Sequence, residues 1–298
     1  MVFVYYFFVF LFGLIIGSFL NCLIYRLELS NSAHYKKWAG LSWLNGRSYC
    51  PHCKHKLTWQ DLIPIFSYFV LRSKCRYCQK KISIQYPLVE ISTALVFLLI
   101  FNYQFPIINE LSILNSQTFI NLFFLFYVSS VLIIIFVYDL KYYLIPDKIL
   151  LPAIIIVFIY RLFENLINWN LIENWSLKID NFVPLVNYLV SASAAFLFFW
   201  LIYLISKGQW MGFGDCKLAI LLGLVLGFPK ILLGLFLSFL FGAIIGVWLI
   251  LLNPSPGHLK TELKNQIPFA PFLVIGTFAA MIWGQNIINW YVRLIGLA

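Results

Sequence analysis

The chain is a succession of long apolar runs broken by short polar stretches. A membrane-crossing helix needs roughly 20 apolar residues, and about eight runs approach that length. They fall near 2–25, 87–103, 118–138, 148–168, 182–205, 216–229, 231–252 and 267–290. The pattern predicts an all-α polytopic membrane protein. The first run begins at Met1 with no basic flank before it and no small-residue cleavage site after it, so it is expected to be a retained helix and not a signal peptide. The fourth is the least regular, with Arg161 and Glu164 in its last turns. The sixth is short, and Pro229-Lys230 divides it from the seventh.

Composition agrees with this reading. Of 298 residues, 62% are hydrophobic, 19% aromatic and only 11% charged, and the mean hydropathy is +0.89. A soluble domain is about 45–50% apolar and about 25% charged, and no soluble fold of this length hides so much apolar surface. Disordered, coiled-coil and disulfide-stapled secreted classes are excluded on the same grounds.

The net charge of +10 acquires meaning from its placement. Segment 26–86 carries Arg26, Lys36, Lys37, Arg47, Lys54, Lys56, Arg72, Lys74, Arg76, Lys80 and Lys81 against only Glu28 and Asp61. Threading eight spans puts this segment with Lys141, Lys148, Lys207, Lys217, Lys260 and Lys264 on one side. Arg161, Lys178, Lys230 and Arg293 fall opposite. Basic residues favour the cytoplasmic side, so the 26–86 loop is expected in the cytosol with both termini outward. A basic loop of this kind suits anionic lipid and requires no nucleic acid. The expected domains are 1–25, a first transmembrane helix; 26–86, a cytosolic module; and 87–298, a seven-helix membrane core.

Four of the six cysteines lie in that module as Cys50-Pro-His-Cys53 and Cys75-Arg-Tyr-Cys78. Two such knuckles brought together present four thiolates in the tetrahedron Zn²⁺ prefers, and a reducing cytosol disfavours disulfides. Structural zinc is the favoured reading; a disulfide or a redox C-x-x-C is the alternative. His52 and His55 compete as ligands, but the cysteines fill the shell without them. A small core of Trp59, Ile63, Ile65, Phe66, Tyr68 and Leu71 is expected around the metal. Cys22 and Cys216 read as small buried apolar side chains.

Acids beside the spans are informative because an Asp at a helix centre costs roughly 2.5–3.5 kcal/mol to insert. Asp139 ends the third span, and Asp215 opens the sixth within Met211-Gly212-Phe213-Gly214-Asp215-Cys216-Lys217. The threading puts both at the cytoplasmic face. Two carboxylates sharing one proton can activate a water with the ionised member and polarise a carbonyl with the protonated one. The competing readings are a snorkelling helix-end acid for Asp139 and an N-cap for Asp215. Gly212 and Gly214 free the backbone beside Asp215 for close approach of a substrate strand. Lys217 is placed to favour the ionised form of Asp215 or to steer an acidic substrate group. Asp147, after Pro146, reads as an N-cap, and Glu90, after Pro87, as a first-turn helix cap.

Taken in order, these residues resemble the type IV prepilin peptidases, intramembrane aspartic proteases of the GxGD kind. The likeness is carried by Gly17-Ser18-Phe19-Leu20-Asn21-Cys22-Leu23-Ile24-Tyr25-Arg26, by Cys50 to Glu90, by Asp139-Leu140 with Leu144-Ile145-Pro146-Asp147, by Gly212 to Lys217, and by Ile267-Pro268-Phe269-Ala270-Pro271-Phe272. It departs from the family pattern at Glu28, where proline is common, and at Ser73 and Ala270, where glycine is usual. The resemblance implies that Asp139 and Asp215 are the catalytic pair and that Cys50, Cys53, Cys75 and Cys78 bind zinc. It implies removal of the basic leader of type IV prepilins or pseudopilins in the bacterial inner membrane, on the cytosolic side. It further implies methylation of the new N-terminus from S-adenosylmethionine, for which no glycine-rich nucleotide loop is visible here. The basic loop suits such a leader poorly and is expected to meet anionic lipid or an acidic residue of the mature pilin. A zinc-module membrane transporter or scaffold is the rival class; its acids would span the bilayer instead of clustering at one face.

Overall fold

A computed structural model of the chain describes residues 2–31, 48–104, 116–170, 183–252 and 268–295. Lys36, Lys37, Arg47, Lys178, Lys260, Lys264 and Ile267, used above for topology and motif, lie outside the described residues. The described chain is almost wholly helical: α1 (Val2–Asn31), α2 (Phe66–Val70), α3 (Gln85–Gln104), α4 (Ser116–Tyr142), α5 (Asp147–Asn170), α6 (Val183–Ile205), α7 (Phe213–Leu226), α8 (Lys230–Leu252) and α9 (Ala270–Leu294), with a 3₁₀ turn at Trp59–Leu62. Extended pairing among the described residues is confined to two isolated bridges, Tyr49 with Lys56 and Lys74 with Lys81.

Among the described residues, six segments are long and apolar enough to cross a bilayer: Phe3–Leu29, Gln85–Gln104, Thr118–Tyr142, Leu185–Ile205, Lys230–Leu249 and Ala270–Leu294. Helices α5 and α7 occupy the fourth and sixth expected runs but stand outside this set. The first carries Asp147, Lys148, Arg161 and Glu164. The second has 14 residues, about 21 Å at the α-helical rise, against a hydrocarbon core of about 30 Å.

The chain forms two compact units, Met1–Ile134 and Ile135–Ala298, with α4 running unbroken through their boundary. In the first, α1 lies close against α3 because Gly17 presents no side chain: a methyl there would come within 2.7 Å of the Glu90 Cα. Apolar helices in lipid gain little from burial, so close backbone approach of this kind is what holds them together. Phe97 stacks on Phe126 at 4.1 Å between ring centroids, with Phe12 beside Phe97. In the second unit, a methyl on Gly223 of α7 would overlap the Ala192 backbone of α6.

Arg161 and Glu164, the irregular pair in the fourth run, have a defined task in this unit. The buried Arg161 guanidinium donates from Nε to the Leu224 carbonyl at 3.2 Å and from Nη2 to the Val225 carbonyl at 2.8 Å. It also pairs with Glu164 at 2.7 Å and lies 3.9 Å from the Tyr188 ring centroid. The last carbonyls of a helix have no partner of their own, and for α7 this arginine supplies one. Arg161→Met strands two buried acceptors at about 1–3 kcal/mol each. It is expected to lower the thermal unfolding midpoint of the purified protein clearly; an unchanged midpoint would mean that another group satisfies those carbonyls.

Candidate metal centre and carboxylate site

The two C-x-x-C segments fold into matching knuckles. The Cys50 N–H donates to the His55 carbonyl and the Lys54 N–H to the Cys50 carbonyl, both at 2.9 Å. The Cys75 N–H and Lys80 carbonyl, and the Gln79 N–H and Cys75 carbonyl, repeat the pair at 2.9 Å each. Lys54 and Gln79, each just past its knuckle's second cysteine, both adopt φ 57. The knuckles bring the Cys50, Cys53, Cys75 and Cys78 sulfurs within 4.8 Å of one another, with Cys50 and Cys78 at 3.8 Å. A tetrahedron with metal–sulfur bonds of about 2.3 Å has edges of about 3.8 Å; the Cys50–Cys78 edge already has that length, and the other edges need to contract by no more than about 1 Å to hold a metal ion.

Their electrostatics also suit a cation. Burial pushes the Cys50 thiol up, but N–H groups of Cys53 and His52 and the neighbouring thiols outweigh it and bring the pKa down to about 7. Cys78 receives an N–H from Lys80, yet burial and the three other thiols carry it to about 11. One negative charge among four crowded thiols opposes the next, and a metal cation removes that opposition.

The expected apolar core of the module is not there. Trp59 is 72% exposed and Phe66 63%, while Ile63, Ile65, Tyr68 and Leu71 are half-buried. Between residues 48 and 86 the buried side chains are Cys50 and Cys75. A segment this short cannot enclose a hydrophobic centre, and the thiol cluster takes its place.

Two further residues, one beside the module and one within it, gain an explanation. Helix α3 starts at Gln85, before Pro87, because proline is tolerated in a first turn whose N–H groups are free. Glu90 therefore lies beyond that turn and is not a first-turn cap. Its buried carboxylate instead accepts the Ile65 N–H at 2.7 Å and the Ser18 hydroxyl. Ser73 has φ 59, the left-handed region that disfavours a β-carbon by about 1–2 kcal/mol. Glycine is the relaxed residue there, so Ser73→Gly is expected to strengthen the module. More chelator should then be needed to strip its metal; equal or easier stripping would count against the strain.

The carboxylate site lies in the second unit. Asp139 sits in the last turn of α4 and Asp215 in the first turn of α7; both are buried and close enough to interact electrostatically. Asp139 accepts the N–H of Ala270, the first residue of α9. Asp215 is the third helical residue after the N-cap Gly212, and it reaches back to accept the Gly212 N–H. It is thus not the N-cap, but one half of a capping box. Each acid is held by a backbone donor, and neither has an ion pair among the described residues.

The flanking residues divide their roles. A methyl on Gly214 would lie 3.2 Å from the Ile145 Cβ, so that glycine lets the segment after α4 pack on α7. A methyl on Gly212 would meet only the Gly214 nitrogen, at an unstrained 3.9 Å. Of the two, only Gly212 leaves room for another chain. Lys217 turns away from Asp215 and places Nζ 2.9 Å from both Asp147 oxygens. Asp147 is the first residue of α5 and an ion-pair partner, not an N-cap. The sequence marks Ala270 only as a departure from the family's usual glycine within Ile267 to Phe272, and nothing in it points to Asp139 as its partner. Pro268-Phe269-Ala270-Pro271 is a stretch fit to start a helix with a free N–H.

Residues 11–104 match the bacterial peptidase A24 N-terminal domain, and residues 125–247 match the type IV leader peptidase family. The chain is 33% identical to the prepilin leader peptidase/N-methyltransferase of Aeromonas hydrophila over 96% of this chain and 93% of that protein. It is 32% identical to the protein of the same name from Bacillus subtilis, over 96% and 97%. No solved structure matches. The two domain matches, the cysteine knuckles and the near full-length likeness together make this chain a member of the type IV leader peptidase family.

Proposed function

We propose that this protein is a membrane-embedded aspartic endopeptidase that removes the basic leader of type IV prepilins or pseudopilins, with Asp139 and Asp215 as its catalytic pair. The observation that carries the reading is that two buried carboxylates from distant helices lie close enough to interact electrostatically, each held by one backbone N–H and neither matched by a cation among the described residues. Structural acids in lipid are normally paired with a base; a shared proton is the natural alternative.

The chemistry follows from that shared proton. The ionised carboxylate takes a proton from a water molecule, whose oxygen attacks the scissile carbonyl carbon. The protonated carboxyl gives its proton to the carbonyl oxygen. The tetrahedral intermediate collapses as the carbon–nitrogen bond breaks, the leaving nitrogen is protonated, and the pair again holds one proton. The Ala270 and Gly212 N–H groups fix the two carboxylates throughout. The room left at Gly212 is where the extended substrate strand approaches.

The 26–86 module is cytosolic in this reading, both termini face outward, and cleavage occurs at the inner face of the bacterial inner membrane. The four thiolates hold Zn²⁺ and fold the module; a closed shell leaves no position for a reacting water. Relatives named as N-methyltransferases support methylation of the new N-terminus from S-adenosylmethionine. The described residues identify no cradle for that cofactor, so no step is assigned to it.

Incubating the purified protein with a prepilin, with and without S-adenosylmethionine, and weighing the products tests the proposal. A mature pilin without its leader is expected, heavier by one methyl group when the cofactor is present. An uncut prepilin under conditions that preserve the protein's fold would overturn the peptidase reading and favour a transporter or scaffold.

A further inference from the structure

The cysteine module exposes apolar side chains in a pattern too regular for accident. In the 3₁₀ turn, Trp59 and Leu62 stand three residues apart and are 72% and 40% exposed. Side chains at that spacing eclipse one another in a 3₁₀ turn. In α2, Phe66, Phe69 and Val70 follow the i, i+3, i+4 spacing of a single helical face and are 63%, 69% and 59% exposed. Five large apolar groups within 12 residues thus point outward from two consecutive short helices, in a module that buries little besides two thiols. In water such a face drives association.

We infer that the face formed by Trp59, Leu62, Phe66, Phe69 and Val70 is an interfacial foot that seats the cysteine module in an anionic lipid surface. Two observations select lipid over a protein partner. First, Ile65, the residue between the two short helices' exposed groups, donates its N–H to Glu90 at 2.7 Å. Glu90 lies in the segment Gln85–Gln104, one of those long and apolar enough to span. It is five residues from that helix's first residue, about 7.5 Å along its axis. The hydrogen bond therefore holds α2 at the depth where the span leaves the hydrocarbon, the level that tryptophan and other amphipathic aromatics favour. Second, the chain that follows the foot carries Arg72, Lys74, Arg76, Lys80 and Lys81, and the one acid within residues 59–81, Asp61, is already paired with Arg76 at 2.9 Å. An apolar face next to uncompensated lysines is the arrangement that binds anionic headgroups. The same positive charge opposes pairing of two copies through this face. The inference does not depend on the peptidase reading.

A photoreactive benzoylphenylalanine in place of Phe69, in the full chain, tests this directly. The protein is reconstituted in vesicles of phosphatidylglycerol and phosphatidylethanolamine, irradiated, and its peptides are weighed. The expected result is a phospholipid adduct on the peptide containing residue 69, several-fold weaker in vesicles of phosphatidylcholine alone. A second label at Trp59 should behave in the same way, and an unchanged metal content shows that the module is folded in each labelled protein. Adducts to a second copy of the chain, or to a prepilin included in the vesicles, in place of lipid would overturn the inference. So would the absence of lipid adducts at both positions, or equal yield in the two lipid mixtures.

Discussion

Asp139→Asn and Asp215→Asn are each expected to abolish prepilin cleavage, lowering the rate by about 10³-fold or more. Asparagine keeps the size of the side chain and an oxygen able to accept the Ala270 or Gly212 N–H. It loses the capacity to exchange a proton, so the fold should survive while the chemistry does not. The thermal midpoint and the yield of membrane-inserted protein should match those of the parent. The double variant should be no slower than either single one, because in the proposed mechanism the two carboxyl groups act as one proton-sharing unit. Appreciable cleavage by either single variant, measured by product mass, removes the dyad. Loss of cleavage together with loss of the fold would instead assign the acids a structural role.

The second large effect is expected at the thiol cluster. Cys75→Ser removes a buried ligand from the group of four. Structural zinc contributes about 10–16 kcal/mol of apparent binding energy in small modules that fold around it, and residues 48–86 of this module form no apolar core to fall back on. Zinc content, measured by elemental analysis of the purified protein, should fall from one per chain to nearly none. The module should become sensitive to protease while the membrane helices persist. Cys22→Ser is the control, since Cys22 lies in α1 with its sulfur 3.7 Å from the Ser48 hydroxyl, outside the cluster. It should leave zinc content unchanged. Full zinc occupancy in the Cys75 variant would refute the ligand assignment.

Much of this protein can be read from local pattern. Apolar run length marks the helical segments, six of which among the described residues are long and apolar enough to cross a bilayer, because lipid demands that each spanning segment satisfy its own backbone. Two short cysteine spacings predict a four-thiol cluster, since each knuckle is closed by hydrogen bonds within a few residues of itself. The two isolated acids at the ends of apolar runs are equally visible, because a charge in that setting is expensive wherever its partner lies. The positive φ at Ser73 explains the family's glycine at that position, although the sequence alone showed only the departure.

Other features depend on groups far apart in the chain. Lys217 stands two residues from Asp215 and 70 from Asp147, yet it pairs with the latter. Helical residues two apart point to different sides, so nearness in sequence misleads there. Glu90 looked like a cap because it follows a proline, whereas its actual partner is an N–H 25 residues earlier. The Ala270 N–H that holds Asp139 arrives from 131 positions away, and no period or propensity encodes that meeting. The apolar residues of the module were expected inside because apolar groups in water go inside. They stand outside because the thiols already occupy the centre. Run lengths and spacings determined which segments are helices and which acids and thiols stand out as candidates for chemistry. The packing of those helices decided which acid meets which donor, since hydrogen bonds and ion pairs form between neighbours in space whatever their separation along the chain.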